Sequence, residues 1–97
     1  MTERRQEPRI SRVMEATWHA LSGAARCRVT DISRQGCFVD AVVPAQVGDV
    51  AEVTINLGHE TINLRGRVRY VEPRIGFGLH FDAITNAQSV ALEPLLG

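Results

Sequence analysis

The chain has 97 residues, of which 44% are hydrophobic and 23% are charged, and its formal net charge at pH 7 is zero. This length suits a single domain, and this composition is that of a folded globular protein, which excludes a disordered chain. No apolar run approaches the roughly 20 residues that a membrane span requires, and the N-terminus carries charges where a secretory signal has a hydrophobic run, so we expect a cytoplasmic protein with no membrane partner.

The chain begins with an arginine-rich segment. Arg4, Arg5 and Arg9 all lie close to the N-terminus. Residues 1–12 contain too few apolar side chains to offset the entropy lost on ordering, so we predict a flexible N-terminal arm, followed by a folded domain at residues 13–97. The chain starts with Met and ends soon after its last predicted element, which favours a stand-alone protein.

Alternation of apolar and polar residues, the pattern of half-buried strands, predicts six β-strands in the folded domain. The pattern is clear at residues 51–57, 61–70 and 75–81 and weaker at residues 13–21 and 25–32, and residues 37–41 form a short return strand. Short strands with turn signals about every ten residues favour a small antiparallel β-barrel over a parallel sheet. Thr85 and Gln88 can form a capping box, and Pro94 ends the helix that follows, so a short helix closes the chain.

The strand at residues 61–70 has one polar face, formed by Arg65, Arg67 and Arg69. Its alternation places Tyr70 on the opposite face, toward the core. If Gly58-His59 is a two-residue hairpin turn, Glu52 of the preceding strand lies opposite Arg65. A row of arginines can follow a nucleic-acid backbone, but a cross-strand charge pair is typical of an ordinary solvated face, so we do not expect nucleic acid to bind there.

The sequence lacks the patterns of a catalytic or metal site. His19, His59 and His80 are far apart, and none accompanies a nucleophile motif or a metal-ligand spacing. Cys27 and Cys37 form no CxxC pair, so we expect both to be reduced and structural. We therefore predict no catalytic residue, no metal and no cofactor.

The most informative stretch is DISRQG, residues 31–36. By itself it is a turn, in which Asp31 and Ser33 cap backbone amides and Gly36 takes the left-handed conformation that starts the next strand. RQEPR, residues 5–9, lies upstream of it. The two motifs in one chain are more specific than either alone.

Together with the strand patterns VGDVAEVTINL, LRGRVRYV and GFGLHF, the motifs RxxxR and DxSxxG resemble those of the PilZ domain family across nearly the whole chain. The resemblance implies a six-stranded antiparallel β-barrel with a C-terminal helix. It also implies that the chain binds cyclic diguanylate (c-di-GMP), a bacterial second messenger with two phosphodiesters and two guanines.

The resemblance assigns roles to six residues, which are Arg4, Arg5, Arg9, Asp31, Ser33 and Gly36. Arg5 and Arg9 would grip phosphate and stack on guanine, with Arg4 as a helper, because a guanidinium offers both a fork of donors and a flat face. Asp31 and Ser33 would read the guanine edge. Gly36 would permit the turn and keep the barrel surface open to the ligand.

Three further residues lie near this predicted site. We expect Arg34 to point to solvent and Arg74 to lie close to the site without touching the ligand. Some family members carry an aromatic platform near the end of the penultimate strand, where Tyr70 is the nearest residue, although the alternation favours the core for it.

The implied mechanism is a switch. Ligand binding would fold the arm over the barrel and present a new surface to a downstream protein that the sequence does not identify. One alternative is a PilZ protein that acts through protein contacts without the ligand, although such members usually lack the arginine motif. The other alternative is a nucleic-acid-binding barrel.

Overall fold

Six β-strands and a short helix make up the part of the chain that the computed structural model describes, residues 13–20, 23–42, 44–58 and 60–96. The strands are β1 (Met14–Ala20), β2 (Gly23–Thr30), β3 (Gly36–Asp40), β4 (Val50–Asn56), β5 (Thr61–Glu72) and β6 (Gly76–Phe81). They are followed by α1 (Asn86–Leu92) and a 3-10 turn (Glu93–Leu95).

The strands form a closed barrel in the order β1-β2-β3-β6-β5-β4, and β4 pairs back with β1. All six pairings are antiparallel. Among the described residues every strand therefore has a hydrogen-bonded neighbour on both sides, which protects the sheet against edge-to-edge aggregation. The predicted antiparallel barrel with a C-terminal helix is confirmed.

The barrel interior is filled by the apolar residues of the alternating patterns. Val29 of β2, Val39 of β3, Val53 of β4 and Leu64 of β5 are all fully buried. On the outer face of the β4–β5 hairpin Glu52 lies opposite Arg65, as predicted. The hairpin closes through a hydrogen bond of 2.9 Å that the Leu57 amide donates to the carbonyl of Glu60.

The pairing of β5 with β6 contains an irregularity that changes which side chains face outward. Val68 lies opposite Leu79 and Tyr70 lies opposite Gly78, so the register shifts between them. A bulge of this kind reverses the expected facing of the residues beyond it. Tyr70 is consequently 49% exposed, and the prediction that it lies in the core is wrong.

The closing helix α1 begins with the predicted capping box. The Gln88 amide donates to Thr85 Oγ at 3.0 Å, and the Thr85 amide donates to Gln88 Oε1 at 2.8 Å. Leu92, Leu95 and Leu96 are buried and belong to the same hydrophobic cluster as the barrel interior. Among the helices in the described part of the chain, none is long and apolar enough to cross a membrane.

Candidate functional site

The DISRQG loop connects β2 to β3 and has its unusual backbone conformation at Asp31, not at Gly36. Asp31 has a φ of 49°, in the left-handed region, whereas Gly36 is not among the described glycines with positive φ. The prediction of a left-handed Gly36 is therefore wrong. A glycine is needed there for a different reason, because a Cβ on residue 36 would collide with the carbonyl oxygen of Leu79 on β6.

Ser33 holds the loop in a compact turn. Its amide donates to the carbonyl of Gly36 at 2.9 Å, and its Oγ accepts from the amide of Gln35 at 3.1 Å. The Gln35 carbonyl in turn accepts from the amide of Phe81 at 2.8 Å, which fixes the loop to the end of β6. The predicted amide cap by Ser33 is confirmed, and its hydroxyl hydrogen is still available to donate.

A surface pocket of about 320 Å³ lies beside this loop. Asp31, Ser33 and Gly36 all line it, so the fold brings together the three members of the second motif. The rest of its wall comes from β3, β5 and β6 and includes Phe38, Arg69, Tyr70, Gly78, Leu79 and His80. The volume is at the lower end of the range for small-ligand sites.

The polar groups of the pocket differ in what they can bind. The Asp31 carboxylate only accepts hydrogen bonds when ionised, and no described residue forms one with it. The Arg69 guanidinium only donates, and the His80 imidazole can do either. An acceptor for N–H groups and a cationic donor for anions therefore lie on the wall of one pocket.

Tyr70 gives the pocket a flat aromatic wall. Its ring stacks on Phe38, with the ring centroids 6.2 Å apart and the planes at 29°. The ring also lies directly over Gly78, since a Cβ on that residue would occupy the space of the Tyr70 ring. The alternation of β5 missed this residue, but the alternate glycines of GFGLHF indicate such a close approach.

The prediction that Arg34 points to solvent is wrong, because its side chain contacts the C-terminal helical segment. Its Nε donates to Ser89 Oγ at 3.1 Å, and its Nη2 forms an ion pair of 3.5 Å with Glu93 Oε2. Arg34 thus reaches the closing helix and not the pocket. Arg74 lies in the turn between β5 and β6 with a φ of 68° and does not line the pocket.

The first motif lies outside the described residues. Arg4, Arg5 and Arg9 belong to residues 1–12, as does the whole predicted arm. Their contacts with the ligand and the division of the chain into an arm and a barrel therefore stay predictions.

The row of arginines on β5 is not a uniform cationic surface. Arg65 lies opposite Glu52, and Arg67 Nη1 donates to the carbonyl of Gly48 at 3.4 Å. Arg69 instead lines the pocket beside the DISRQG loop. The three side chains therefore have three different surroundings.

The two cysteines, for which we predict a structural role, are free and buried. Burial, with smaller contributions from the negative charges of Asp40 and Glu15, raises the pKa of Cys27 to about 11. Burial raises the pKa of Cys37 further. Neither thiol is an activated nucleophile, and the described residues contain no group of three His, Cys, Asp or Glu side chains that could hold a metal ion.

Comparison with known proteins relates this barrel to one family. The family model for the PilZ domain matches residues 3–96. Among curated proteins none matches the chain, whereas 14 chains of solved structures do.

Two of these solved structures illustrate the likeness. The Bacillus subtilis inhibitor of motility (MotI/DgrA) has a TM-score of 0.77 and 22% identity, and the match covers 98% of this chain and 50% of that one. This chain thus spans half the length of that protein. The PilZ domain of CeSA from a cellulose-synthesizing bacterium has a TM-score of 0.73 and 17% identity, with coverage of 91% and 93%. At these identities the likeness is one of fold.

Proposed function

The chain belongs to the PilZ domain family, and from this premise we propose that it is a receptor for cyclic diguanylate that acts on a partner protein and catalyses no reaction. The observation that carries the proposal is the pocket beside DISRQG, which is lined by Asp31, Ser33 and the exposed ring of Tyr70. These groups match the chemistry of a guanine, which needs acceptors at its edge and a flat surface at its face.

The described residues suit the two parts of the ligand in different ways. Asp31 accepts from the neighbouring N–H groups of the guanine edge, and Ser33 adds a hydroxyl. The Tyr70 ring stacks on the base. Arg69 and His80 supply N–H donors on the same wall, where a phosphodiester oxygen can accept from them.

The RxxxR motif completes the site in this proposal. Arg5 and Arg9, with Arg4 as a helper, bring forked donors from the arm to the phosphates. The arm becomes ordered over the barrel, and the combined surface recognises a downstream protein in the cytoplasm. One structural neighbour is described as an inhibitor of motility, and by analogy we propose that this chain also acts in the control of bacterial motility or biofilm formation.

Calorimetric titration of the purified chain with cyclic diguanylate tests the proposal. We expect the wild type to bind, and Arg9→Ala and Asp31→Ala each to bind about ten- to a hundredfold more weakly, because each loses a charge-assisted contact of roughly 1.5 to 3 kcal/mol. Arg28→Ala is the matched control, since Arg28 is a surface arginine of β2 that pairs with Glu15 at 3.9 Å. Failure of the wild type to bind at ligand concentrations up to about a millimolar would contradict the proposal.

The same titrations separate the alternatives. Cyclic diadenylate and GTP should bind far more weakly than cyclic diguanylate, since the first lacks the guanine edge and the second lacks the cyclic phosphodiesters. A nucleic-acid-binding barrel would instead bind oligonucleotides with an affinity that falls steeply with salt and depends on Arg65 and Arg67. A ligand-independent adaptor would bind none of these compounds.

A further inference from the structure

Two consecutive residues of the DISRQG loop serve different parts of the molecule. Ser33 lines the pocket, whereas the guanidinium of Arg34 contacts Ser89 Oγ and the Glu93 carboxylate, more than fifty residues further along the chain. One side of the loop therefore belongs to the candidate ligand site and the other side to the C-terminal helix.

The helix depends on such contacts because it is short. A helix of seven residues is far below the length at which helices are stable by themselves in water. The buried apolar residues of this segment are Leu92, the last residue of the helix, and Leu95 and Leu96, which follow it. Two polar contacts supplement the packing of its first turns, one from Gln88 Nε2 to the carbonyl of Asn63 on β5 at 2.8 Å and one from Arg34.

The bridge is suited to the guanidinium group. Nε and Nη2 of Arg34 reach two acceptors that lie on successive turns of the helical segment, one neutral and one charged. The Arg34 side chain is 38% exposed, so the ion pair by itself contributes little. The ion pair matters because it connects the helical segment to a restrained part of the loop, since residue 34 lies between the hydrogen-bonded residues Ser33 and Gln35.

We propose that Arg34 is a positioning residue that couples occupancy of the pocket to the order of α1. A ligand held by Asp31 and Ser33 restrains the loop backbone, which lowers the entropy cost of keeping the Arg34 guanidinium on Ser89 and Glu93. By linkage, an ordered helix in turn favours the binding-competent loop. The inference rests on the proposed function for the identity of the ligand, but the bridge itself exists without it.

The ligand-free bridge can be tested by amide hydrogen exchange measured by NMR. The double variant Ser89→Ala/Glu93→Gln changes only the helical segment, and its alanine raises helix propensity. We expect the amides of Ser33 and Gln35, on the other side of the bridge, to exchange about two- to fivefold faster than in the wild type. Glu15→Gln is the control, since it removes the ion-pair partner of Arg28 elsewhere on the barrel. Unchanged exchange at Ser33 and Gln35 in the double variant would overturn the bridge.

The coupling is tested by repeating the exchange measurement with saturating cyclic diguanylate. In the wild type the ligand should slow exchange of the Ser89 and Leu96 amides, which are hydrogen-bonded within the helical segment. In Arg34→Ala the ligand should still bind, about two- to fivefold more weakly, but should leave those amides unchanged. Equal protection of the helix in both proteins, or none in a wild type that binds, would overturn the coupling. A wild type that does not bind contradicts the proposed function instead, and the ligand-free comparison then decides the bridge.

Discussion

The Tyr70 ring lies over Gly78 of the neighbouring strand, so closely that no Cβ fits between them. The contact exists because the β-bulge between Val68 and Tyr70 turns the tyrosine outward at the point where β6 has no side chain. Phe38, on β3, the other neighbour of β6, stacks against the ring. Three strands thus fix one exposed aromatic surface beside the DISRQG loop.

The first prediction concerns this ring as a stacking surface for guanine. Tyr70→Ala should weaken binding of cyclic diguanylate by about 1 to 3 kcal/mol, the usual contribution of one stacked base, or roughly five- to a hundredfold. Tyr70→Phe keeps the ring and should bind within about twofold of the wild type, because stacking does not need the hydroxyl. Calorimetric titration measures both variants. If both variants lost affinity equally, the hydroxyl and not the ring would be the group that contributes to binding, and stacking would be contradicted.

The second prediction compares two glycines whose missing side chains face different obstacles. Gly36→Ala would push a methyl group into the backbone carbonyl of Leu79, whereas Gly78→Ala would push it into the Tyr70 ring. A side chain can move aside and a paired strand cannot, so the cost of overpacking, about 1 to 3 kcal/mol, should fall mainly on Gly36→Ala. Thermal unfolding should show Gly36→Ala melting at least about 4 to 8 °C below Gly78→Ala, since each 1 kcal/mol lowers the melting temperature of a domain of this size by about that much.

The ligand affinity of the same pair gives a cross-check. Gly78→Ala should fold but hold the Tyr70 ring in a different position, visible as changed chemical shifts of the ring protons. Its affinity for cyclic diguanylate should then fall toward that of Tyr70→Ala. If Gly78→Ala melts at or below Gly36→Ala, the tyrosine is not free to move as we infer.

The fold was predictable because local patterns decide it. Alternation indicates which residues of each strand face inward, and the Glu52–Arg65 pairing follows from the turn predicted at residues 58 and 59. The capping box at Thr85 likewise follows from residues three positions apart. Each of these features depends only on residues that are close in sequence or lie in one hairpin, so it can be predicted from a single sequence.

The site was only partly predictable because its geometry depends on pairings between distant residues. The bulge that exposes Tyr70 arises in the register of β5 against β6, and the contact of Arg34 joins residues separated by more than fifty positions. The motif residues Asp31, Ser33 and Gly36 were found through resemblance, but the turn rules assigned to Gly36 the left-handed conformation that Asp31 adopts. Alternation and turn rules cannot see these long-range constraints.

The third prediction separates stability from binding at Asp31. Its φ of 49° costs an L-residue energy that glycine does not pay, since a Cβ clashes in the left-handed region. Asp31→Gly should therefore unfold about 4 to 8 °C above Asp31→Ala, a difference of about 1 kcal/mol. Both variants lack the carboxylate, so both should lose binding of cyclic diguanylate to a similar extent. Equal melting temperatures for the two would contradict the left-handed conformation.

The fourth prediction follows from the buried thiols. Burial raises the pKa of Cys27 from an ordinary value of 9.0 to about 11, and that of Cys37 further. Between pH 9 and 11 the thiols of the unfolded chain are ionised while those of the folded chain keep their protons, so the unfolded state binds fewer protons. The free energy of unfolding should therefore be independent of thiol ionisation below about pH 9 and should fall as pH rises toward 11, by up to about 1.4 kcal/mol per pH unit for each thiol.

This chain is well suited to that measurement because all of its cationic side chains are arginines and it contains no lysine. The measurement is urea unfolding of the Tyr70→Phe variant at a series of pH values. This substitution removes the single tyrosine hydroxyl, so the thiols are the side chains expected to ionise between pH 9 and 11. Cys27→Ala/Cys37→Ala in the same background should be less stable at pH 8, since it loses buried volume, but should lose less stability per pH unit above pH 9. An equally steep decline without the thiols would show that burial of Cys27 and Cys37 is not its cause.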